Sequence, residues 1–409
     1  MKSLFIGIFL LTYLTCWSQE MKTIKGVVTD HSSGEPLPFA SISLKNKPLS
    51  TVTNLQGEFT FHFPAEFRND TLEISMLGFA VLEQLVNTLP PSKNSFTLRQ
   101  SEKILEGIVI TDTLSANEII KLALERIPVN YPTLPVSMTA FYRETQQVDS
   151  SYVSLIEAAL TIYEESKSKK NGTLRRAKLK VDHLRRSLSY PHKYNDWWDT
   201  HNLLLATWRL NPVPYAYHTL RKGDFRREMN TELNGEPIYV ISDQQLGTWG
   251  IRLYVQAKTY AIVRIEEHYD PAVQGEKIWP VHHKTLEIKA YPVYRDLVIE
   301  FRKYKGHFYL NTVRFHASHT YVVDTGEKTD FGIKQDIIVN EITLDNPTKI
   351  LKNEAQRFNN TLINKKYTYD AEFWDTYNVI KETPLEEELI KDLEKEVSLY
   401  DQFQSHPQK

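Results

Sequence analysis

At about 150 residues per domain, the 409 residues of the chain predict two or three domains, each large enough to bury a sizeable core. Hydrophobic residues make up 41% and charged residues 24%, which is ordinary globular usage and excludes wholesale disorder. The 49 basic and 51 acidic residues give a net charge of -2, so the chain has no global attraction for nucleic acid or anionic membranes.

The N-terminus has the pattern of a secretory signal peptide. Lys2 precedes an apolar run over residues 4–14, which is shorter than the roughly 20 apolar residues that span a bilayer. Cys16 and Ser18 are small residues at the two positions that a cleavage site requires, so residues 1–18 are expected to be removed. The alternative is a lipidated Cys16, although the residues before it make a poor lipoprotein box. Either outcome predicts an exported protein that is periplasmic, outer-membrane-associated or secreted.

The mature chain is expected to lack both cysteine and a transmembrane segment. Cys16 is the single cysteine, so cleavage removes it and excludes disulfides, thiolate metal sites and cysteine nucleophiles. Beyond the signal, no apolar run of the sequence approaches membrane-spanning length.

Residues 22–100 predict a β-sandwich. Segments 39–44 and 58–63 alternate apolar and polar residues at period 2, which predicts strands with their apolar side chains facing inward. Clusters of turn residues recur at spacings of about 8–12 residues, and this spacing predicts about seven short strands.

The phrases at residues 24–28, 34–40, 53–59, 72–76 and 78–79 resemble, in content and order, those of the carboxypeptidase-regulatory-like domain family. The resemblance implies a transthyretin-like β-sandwich, common at the N-termini of Bacteroidota envelope proteins, that acts as an adaptor rather than as a peptidase. Asn54 departs from the family's usual aspartate, but both residues suit a turn.

The catalytic patterns that such a family name suggests are missing from the sequence. None of the 13 histidines has a glutamate three residues downstream, as a metallocarboxypeptidase zinc site requires. Nucleophile-elbow, dinucleotide-binding and phosphate-loop motifs are missing as well. His316 and His319 lie three residues apart in the predicted strand 313–323, where their side chains point to opposite faces. We therefore predict no catalytic residue, no cofactor and no metal.

Residues 101–132 predict a linker with a short helix. Ser115 and Glu118 form a capping box, and Pro128 is expected to end the helix.

Residues 133–348 predict a large antiparallel sheet or open barrel, so the fold class is mainly β. Phrases at 233–241, 258–265 and 306–310 are similar to those of periplasmic lipoprotein-carrier folds, and this resemblance implies a curved sheet over an apolar cavity that holds acyl chains. The predicted strands are 136–148, 152–163, 174–184, 238–241, 251–255, 261–265, 286–290, 298–304 and 313–323, with residues 305–310 forming a turn into a further strand.

A helical insertion is predicted near residues 196–220, with a helix from about 197 to 210. It carries Trp197, Trp198 and Trp208. Two interpretations remain open. The helix packs onto the core of its own domain, or it forms a lid over a ligand groove bordered by these tryptophans.

The tail, residues 349–409, predicts an amphipathic helix after Thr383, with Leu385, Leu389, Leu393, Val397 and Tyr400 in one apolar stripe. The aromatic residues of segment 370–377 are expected to anchor the tail. Docking onto the parent fold is favoured over recruitment of a partner.

Together these features predict a non-enzymatic envelope protein that binds or scaffolds an envelope partner. The alternative is a carrier or sensor of apolar ligands, such as acyl chains or lipoproteins, in a curved-sheet groove. A hydrolase with a site built from scattered Asp, Glu and His residues is a third class.

Overall fold

The structure is a computed structural model. It describes residues 20–101, 113–165, 177–188, 225–243, 250–282, 287–356, 362–363, 365–380, 384–395 and 397–404. The predicted signal peptide and the predicted tryptophan helix lie outside the described residues. Among the described residues, no helix is long and apolar enough to cross a membrane.

Seven strands in two sheets form the N-terminal sandwich, as the turn spacing predicts. One sheet has the order β4-β1-β7, with β1 and β7 parallel, and the other has the order β3-β2-β5-β6. The side chains of Phe59, Phe61 and Phe63 are fully buried between the sheets. The strands are β1 (Met21–Asp30), β2 (Ser41–Leu44), β3 (Ser50–Val52), β4 (Glu58–Pro64), β5 (Thr71–Ser75), β6 (Leu82–Leu85) and β7 (Asn94–Leu98).

The turn before β4 shows why the asparagine at position 54 preserves the fold. The Asn54 side-chain oxygen accepts hydrogen bonds from the amides of Gln56 and Glu58, at 3.0 and 2.8 Å. Gly57 closes the turn with a φ of 71°. A Cβ atom there would lie 2.3 Å from the carbonyl oxygen of Val28, so the turn requires glycine.

Twelve antiparallel strands among the described residues form one large open sheet. Its main path runs β10-β9-β8-β19-β18-β17-β15-β14-β13-β11, with β12 paired to β13 and β16 paired to β17. The strands are β8 (Val136–Val148), β9 (Ser151–Glu164), β10 (Lys178–Leu188), β11 (Phe225–Arg227), β12 (Thr231–Leu233), β13 (Glu236–Asp243), β14 (Gly250–Gln256), β15 (Ile262–Tyr269), β16 (Trp279–His282), β17 (Glu287–Tyr304), β18 (His307–Val323) and β19 (Lys328–Thr343).

Three sequence-based strand assignments need correction. The predicted strands 286–290 and 298–304 are one 18-residue strand, β17. Its register shifts between Pro292 and Tyr294, because proline cannot donate to the ladder and a bulge accommodates it. The strand predicted to follow the turn at 305–310 and the predicted strand 313–323 are also one strand, β18. Strand β10 begins at Lys178, later than predicted.

The two faces of the large sheet have different partners. The main apolar core lies on the face covered by α1 (Ala116–Glu125) and α2 (Ile127–Asn130), and we call this the inner face. Ser115 and Glu118 form the predicted capping box at α1. Helix α1 ends at Glu125, ahead of the predicted stop at Pro128. Pro128 lies in the first turn of the separate short helix α2, where its missing amide hydrogen costs nothing. A further short helix, α3 (Pro271–Gln274), follows β15.

The C-terminal tail packs on the opposite face, which we call the outer face. It forms α4 (Ala371–Thr376), α5 (Pro384–Leu393) and α6 (Leu399–Gln404). Leu389 and Leu393 pack on Tyr152 and Leu155 of β9, so the tail docks on its own fold.

The single predicted stripe of the tail is wrong beyond Leu393. Helix α5 ends there, and Val397 and Tyr400 are 46% and 56% exposed. The break before α6 changes the helical phase, so Leu399 and Phe403 continue the apolar contact instead.

Candidate functional site

Hydrogen bonds to backbone carbonyl oxygens join the sandwich to the large sheet. The Ile342 amide donates to the carbonyl oxygen of Pro48 at 3.2 Å, and the Ser50 hydroxyl donates to that of Val339 at 2.9 Å. On the other side of the junction, the Gly78 amide donates to the Glu232 carbonyl oxygen at 2.8 Å. These bonds fix the two domains relative to each other.

A cleft of about 710 Å³ lies at this junction. Its walls come from β2, its following turn and β5 on the sandwich side, and from β13, β15, β17 and β18 on the sheet side. Six basic and three acidic residues line it, so the cleft carries an excess of positive charge. These residues are Lys47, Arg264, Arg302, Lys303, Lys305 and Arg314, with Glu73, Glu236 and Glu300.

One pair of opposite charges in the cleft is neutralised internally. Arg264 lies 2.5 Å from the Glu300 carboxylate and 2.6 Å from that of Glu266. The Thr312 hydroxyl donates a further hydrogen bond of 2.9 Å to Glu300. The charge of Glu300 is therefore balanced before any ligand enters.

Arg302 and Arg314 have a different environment. Nη2 of Arg302 donates to the carbonyl oxygen of Pro48, and the Arg314 guanidinium lies 3.9 Å from the centre of the Phe39 ring. The Nε atoms of both arginines are buried and have no hydrogen-bond partner among the described residues. Burial lowers the pKa of Arg302 to about 10 and also lowers the pKa of Arg314. Both guanidinium groups nevertheless remain charged at neutral pH.

A second charged cluster holds the tail on the outer face. The Glu157 carboxylate lies 2.6 Å from the Arg143 guanidinium and 2.5 Å from that of Arg185. Burial opposes ionisation of Glu157, but the two arginines outweigh it and lower the pKa of the carboxyl group. Arg143 also donates to the carbonyl oxygen of Ile380 at 3.0 Å, and Arg185 stacks 4.5 Å from the Trp374 ring. This cluster is structural.

A buried polar cluster lies on the inner face around Glu144. Its carboxylate accepts hydrogen bonds from the Tyr142 hydroxyl at 2.5 Å, from the Gln335 amide at 2.7 Å and from the Gln146 amide at 2.8 Å. Burial raises the pKa of Glu144, because these neutral donors do not offset the cost of removing the charge from water.

Of the residues that the sequence singled out, the structure describes the two histidines but not the three tryptophans. Trp197, Trp198 and Trp208 lie outside the described residues, so their role at a ligand groove stays a prediction. His319 is buried on the inner face, whereas His316 is partly exposed on the outer face, 3.3 Å from Asp336. Among the described residues, no group of three or more His, Cys, Asp or Glu side chains is arranged to hold a metal ion.

Sequence reasoning missed the cationic cleft. A signal was present, since residues 302–305 include three basic residues next to a hairpin turn. Nothing local, however, shows that this run lies against residues 38–48 of the sandwich.

Comparison with solved structures finds matches that each cover between 55% and 58% of this chain. A domain from Vibrio parahaemolyticus described as belonging to an outer membrane lipoprotein-sorting protein is 11% identical; the match covers 57% of this chain and 95% of that one, with a TM-score of 0.27. A LolA superfamily protein from Nitrosomonas europaea is also 11% identical, with coverages of 58% and 96% and a TM-score of 0.24. MucB matches at 10% identity, coverages of 55% and 92%, and a TM-score of 0.18.

With TM-scores of 0.18 to 0.27, these matches carry no conclusion about fold or function. No curated protein matches the chain by sequence. Residues 24–110 match the family model of the CarboxypepD_reg-like domain. The N-terminal sandwich is therefore a carboxypeptidase-regulatory-like domain, as its residues predict.

Proposed function

We propose that this protein is a non-enzymatic binding module of the cell envelope, and that the cleft between the sandwich and the large sheet is its ligand site. The observation that carries the proposal is the cleft itself, at about 710 Å³. Ligand sites typically measure about 300–1,000 Å³ and are often located at domain junctions. The signal-peptide pattern of residues 1–18 supports export to the envelope.

The fixed junction supports binding because a preformed site loses little conformational entropy when a ligand enters. The chemistry of the lining supports binding rather than catalysis. Arg302 and Arg314 hold a permanent charge and are poor proton-transfer groups, while Glu300 is already engaged by Arg264 and Thr312.

The test fills the cleft with a large side chain. Ser43 lines the cleft, and Ser43→Trp is expected to block it. Ser95→Trp is the matched control, because Ser95 is an exposed strand residue of the same sandwich and does not line the cleft. After incubation with an envelope extract, native mass spectrometry should detect a ligand adduct on the wild type and on Ser95→Trp but not on Ser43→Trp. An adduct that persists on Ser43→Trp would overturn the proposal.

A second candidate function is a carrier or sensor of apolar ligands. It is favoured by the continuous apolar surface of the inner face, where Leu297, Val313 and Phe315 are buried side by side on neighbouring strands. In this proposal Trp198 and Trp208 belong to a lid. Replacing either with alanine should then abolish binding of a fluorescent fatty acid with little change in melting temperature. A core role predicts instead a loss of about 3–5 kcal/mol in the free energy of unfolding.

A further inference from the structure

The cleft contains more positive charge than its own residues neutralise. Of its six basic residues, Arg264 pairs with Glu300, and Lys47 lies 3.4 Å from Asp70. Among the described residues, the other four form no ion pair, which would require a carboxylate oxygen within 4.0 Å. These four are Arg302, Lys303, Lys305 and Arg314. Glu341 attracts Arg302, and Glu300 and Asp336 attract Arg314, only from a longer distance.

Solvation explains unpaired lysines at a surface, but it does not explain the two arginines. An arginine carries five N–H donors and no acceptor. The Arg302 guanidinium reaches one carbonyl oxygen, that of Pro48, and its Nε is buried without a partner among the described residues. The Arg314 guanidinium rests on the Phe39 ring, and its Nε is also buried without a hydrogen-bond partner among the described residues. Buried charged donors without acceptors are costly, and a ligand that supplies acceptors would remove this cost.

The placement of the two arginines sets the shape of that ligand. They come from neighbouring antiparallel strands, β17 and β18, where Arg314 lies opposite Val298. Arg302 is four residues further along β17, which places the two backbones about 13 Å apart along the sheet at about 3.3 Å per residue. In the structure the two guanidinium groups rest on different partners, Pro48 and Phe39, and an elongated ligand with one acidic group at each position suits this arrangement better than one small anion does.

We infer that the cleft binds an elongated ligand with two or more oxyanion groups, such as phosphates, one group held by Arg302 and another by Arg314. Planar guanidinium groups bind such oxyanions through paired hydrogen bonds. Lys303 and Lys305 add positive charge at the Arg302 end. This inference rests on the proposed function, since it names the ligand class of the same cleft.

The experiment measures binding of tripolyphosphate to the full chain by isothermal titration calorimetry. Wild-type protein should bind, and the affinity should fall with added salt. Arg302→Gln and Arg314→Gln should each weaken binding at least about tenfold, since each removes a charge-assisted contact. Arg99→Gln is the matched control, because Arg99 is an exposed arginine of the sandwich outside the cleft, and it should bind like the wild type.

A second arm distinguishes the source of the oxyanion groups. Sedimentation with vesicles that contain cardiolipin, whose headgroup carries two phosphates, compared with vesicles of phosphatidylcholine alone, should depend on Arg302 and Arg314 if a lipid headgroup is the ligand. Binding of tripolyphosphate without vesicle sedimentation assigns the site to a soluble ligand.

Two outcomes would overturn the inference: a wild type that does not bind tripolyphosphate, or arginine variants that bind as tightly as Arg99→Gln. If Arg302→Gln fails to fold, tripolyphosphate binding by Arg302→Lys and by Arg314→Gln tests the inference in its place. The cleft-filling test with Ser43→Trp does not depend on the class of ligand. It can therefore still support the proposed function when the oxyanion inference fails, so the two failures are distinguishable.

Discussion

Glu144 and Glu157 are both almost fully buried and lie on neighbouring strands, yet their pKa values move in opposite directions. The difference arises from their partners. Two guanidinium groups surround Glu157 on the outer face, whereas neutral donors surround Glu144 on the inner face. Burial opposes both charges, and only the cations outweigh it.

Glu157→Gln should therefore destabilise the protein strongly. The change leaves the guanidinium groups of Arg143 and Arg185 buried without their counter-ion, and breaking a buried ion pair from one side costs about 3–5 kcal/mol. Urea unfolding should show this loss in the free energy of unfolding. Glu83→Gln is the matched control, because its ion pair with Lys45 is exposed and such pairs contribute at most about 1 kcal/mol. Equal effects of the two variants would contradict the prediction.

The raised pKa of Glu144 predicts that its contribution to the free energy of unfolding changes with pH in the opposite direction to that of a carboxylate in an ion pair. At pH values above 4.5, the ordinary pKa of a glutamate, Glu144 is protonated in a larger fraction of folded molecules than of unfolded molecules. The free energy of unfolding therefore falls as pH rises from about 4.5 towards the raised folded pKa. The glutamine of Glu144→Gln cannot ionise, so the variant should lack this fall in the free energy of unfolding.

The measurement is urea unfolding of both proteins between pH 4 and pH 8. The difference in stability between Glu144→Gln and the wild type should shift in favour of the variant as pH rises, and then level off. A difference that is independent of pH would show that Glu144 titrates at the same pH in both states.

At the scale of elements, the C-terminal helices decide how the outer face of β9 and β10 is covered. Helix α5 contributes Leu389 and Leu393, and α6 contributes Leu399 and Phe403, to one small core with Tyr152. The break between the helices permits this contact, because an unbroken helix would place Val397 rather than Leu399 on the apolar side.

Leu393→Ala and Val397→Ala distinguish a tail that is broken between α5 and α6 from one continuous helix. Leu393 is 3% exposed, so its truncation should cost about 2–5 kcal/mol, whereas Val397 is 46% exposed and its truncation should stay within about 0.5 kcal/mol. Thermal unfolding of the two variants gives the comparison. A continuous helix with a single stripe would make both substitutions costly.

At the scale of the whole molecule, the sandwich, the large sheet and the tail share one core. Val52 of the sandwich, Phe141 and Ile338 of the sheet, and Trp374 and Ile380 of the tail are buried together. The cleft exists because this shared core and the bonds at Pro48 hold its two walls in place.

Asn378 is the polar counterpart of that shared core. Its side chain accepts from the His62 amide at 2.7 Å and donates to the His62 carbonyl oxygen at 2.9 Å, and its carbonyl oxygen accepts from Asn340. Asn378→Ala leaves both backbone groups of His62 without this partner and should cost about 1–3 kcal/mol. Hydrogen exchange should then increase at β4. Asn87→Ala, at an exposed asparagine, should leave both quantities unchanged.

The sequence by itself determined the features that depend on neighbouring residues. Period-2 alternation located β2, β4 and β8, and the capping box at Ser115 located the start of α1, because these signals act within a few residues. The order of phrases identified the carboxypeptidase-regulatory-like domain for the same reason.

Only the tertiary structure decided the length of β17, the break between α5 and α6, and the cleft. The partners involved are far apart in the chain: Arg302 donates to a carbonyl 254 residues away, and Asn378 bonds to His62 across 316 residues. Such contacts follow from strand register and domain docking rather than from local propensity. A run of basic residues at a hairpin becomes a candidate binding site only when a second domain closes over it.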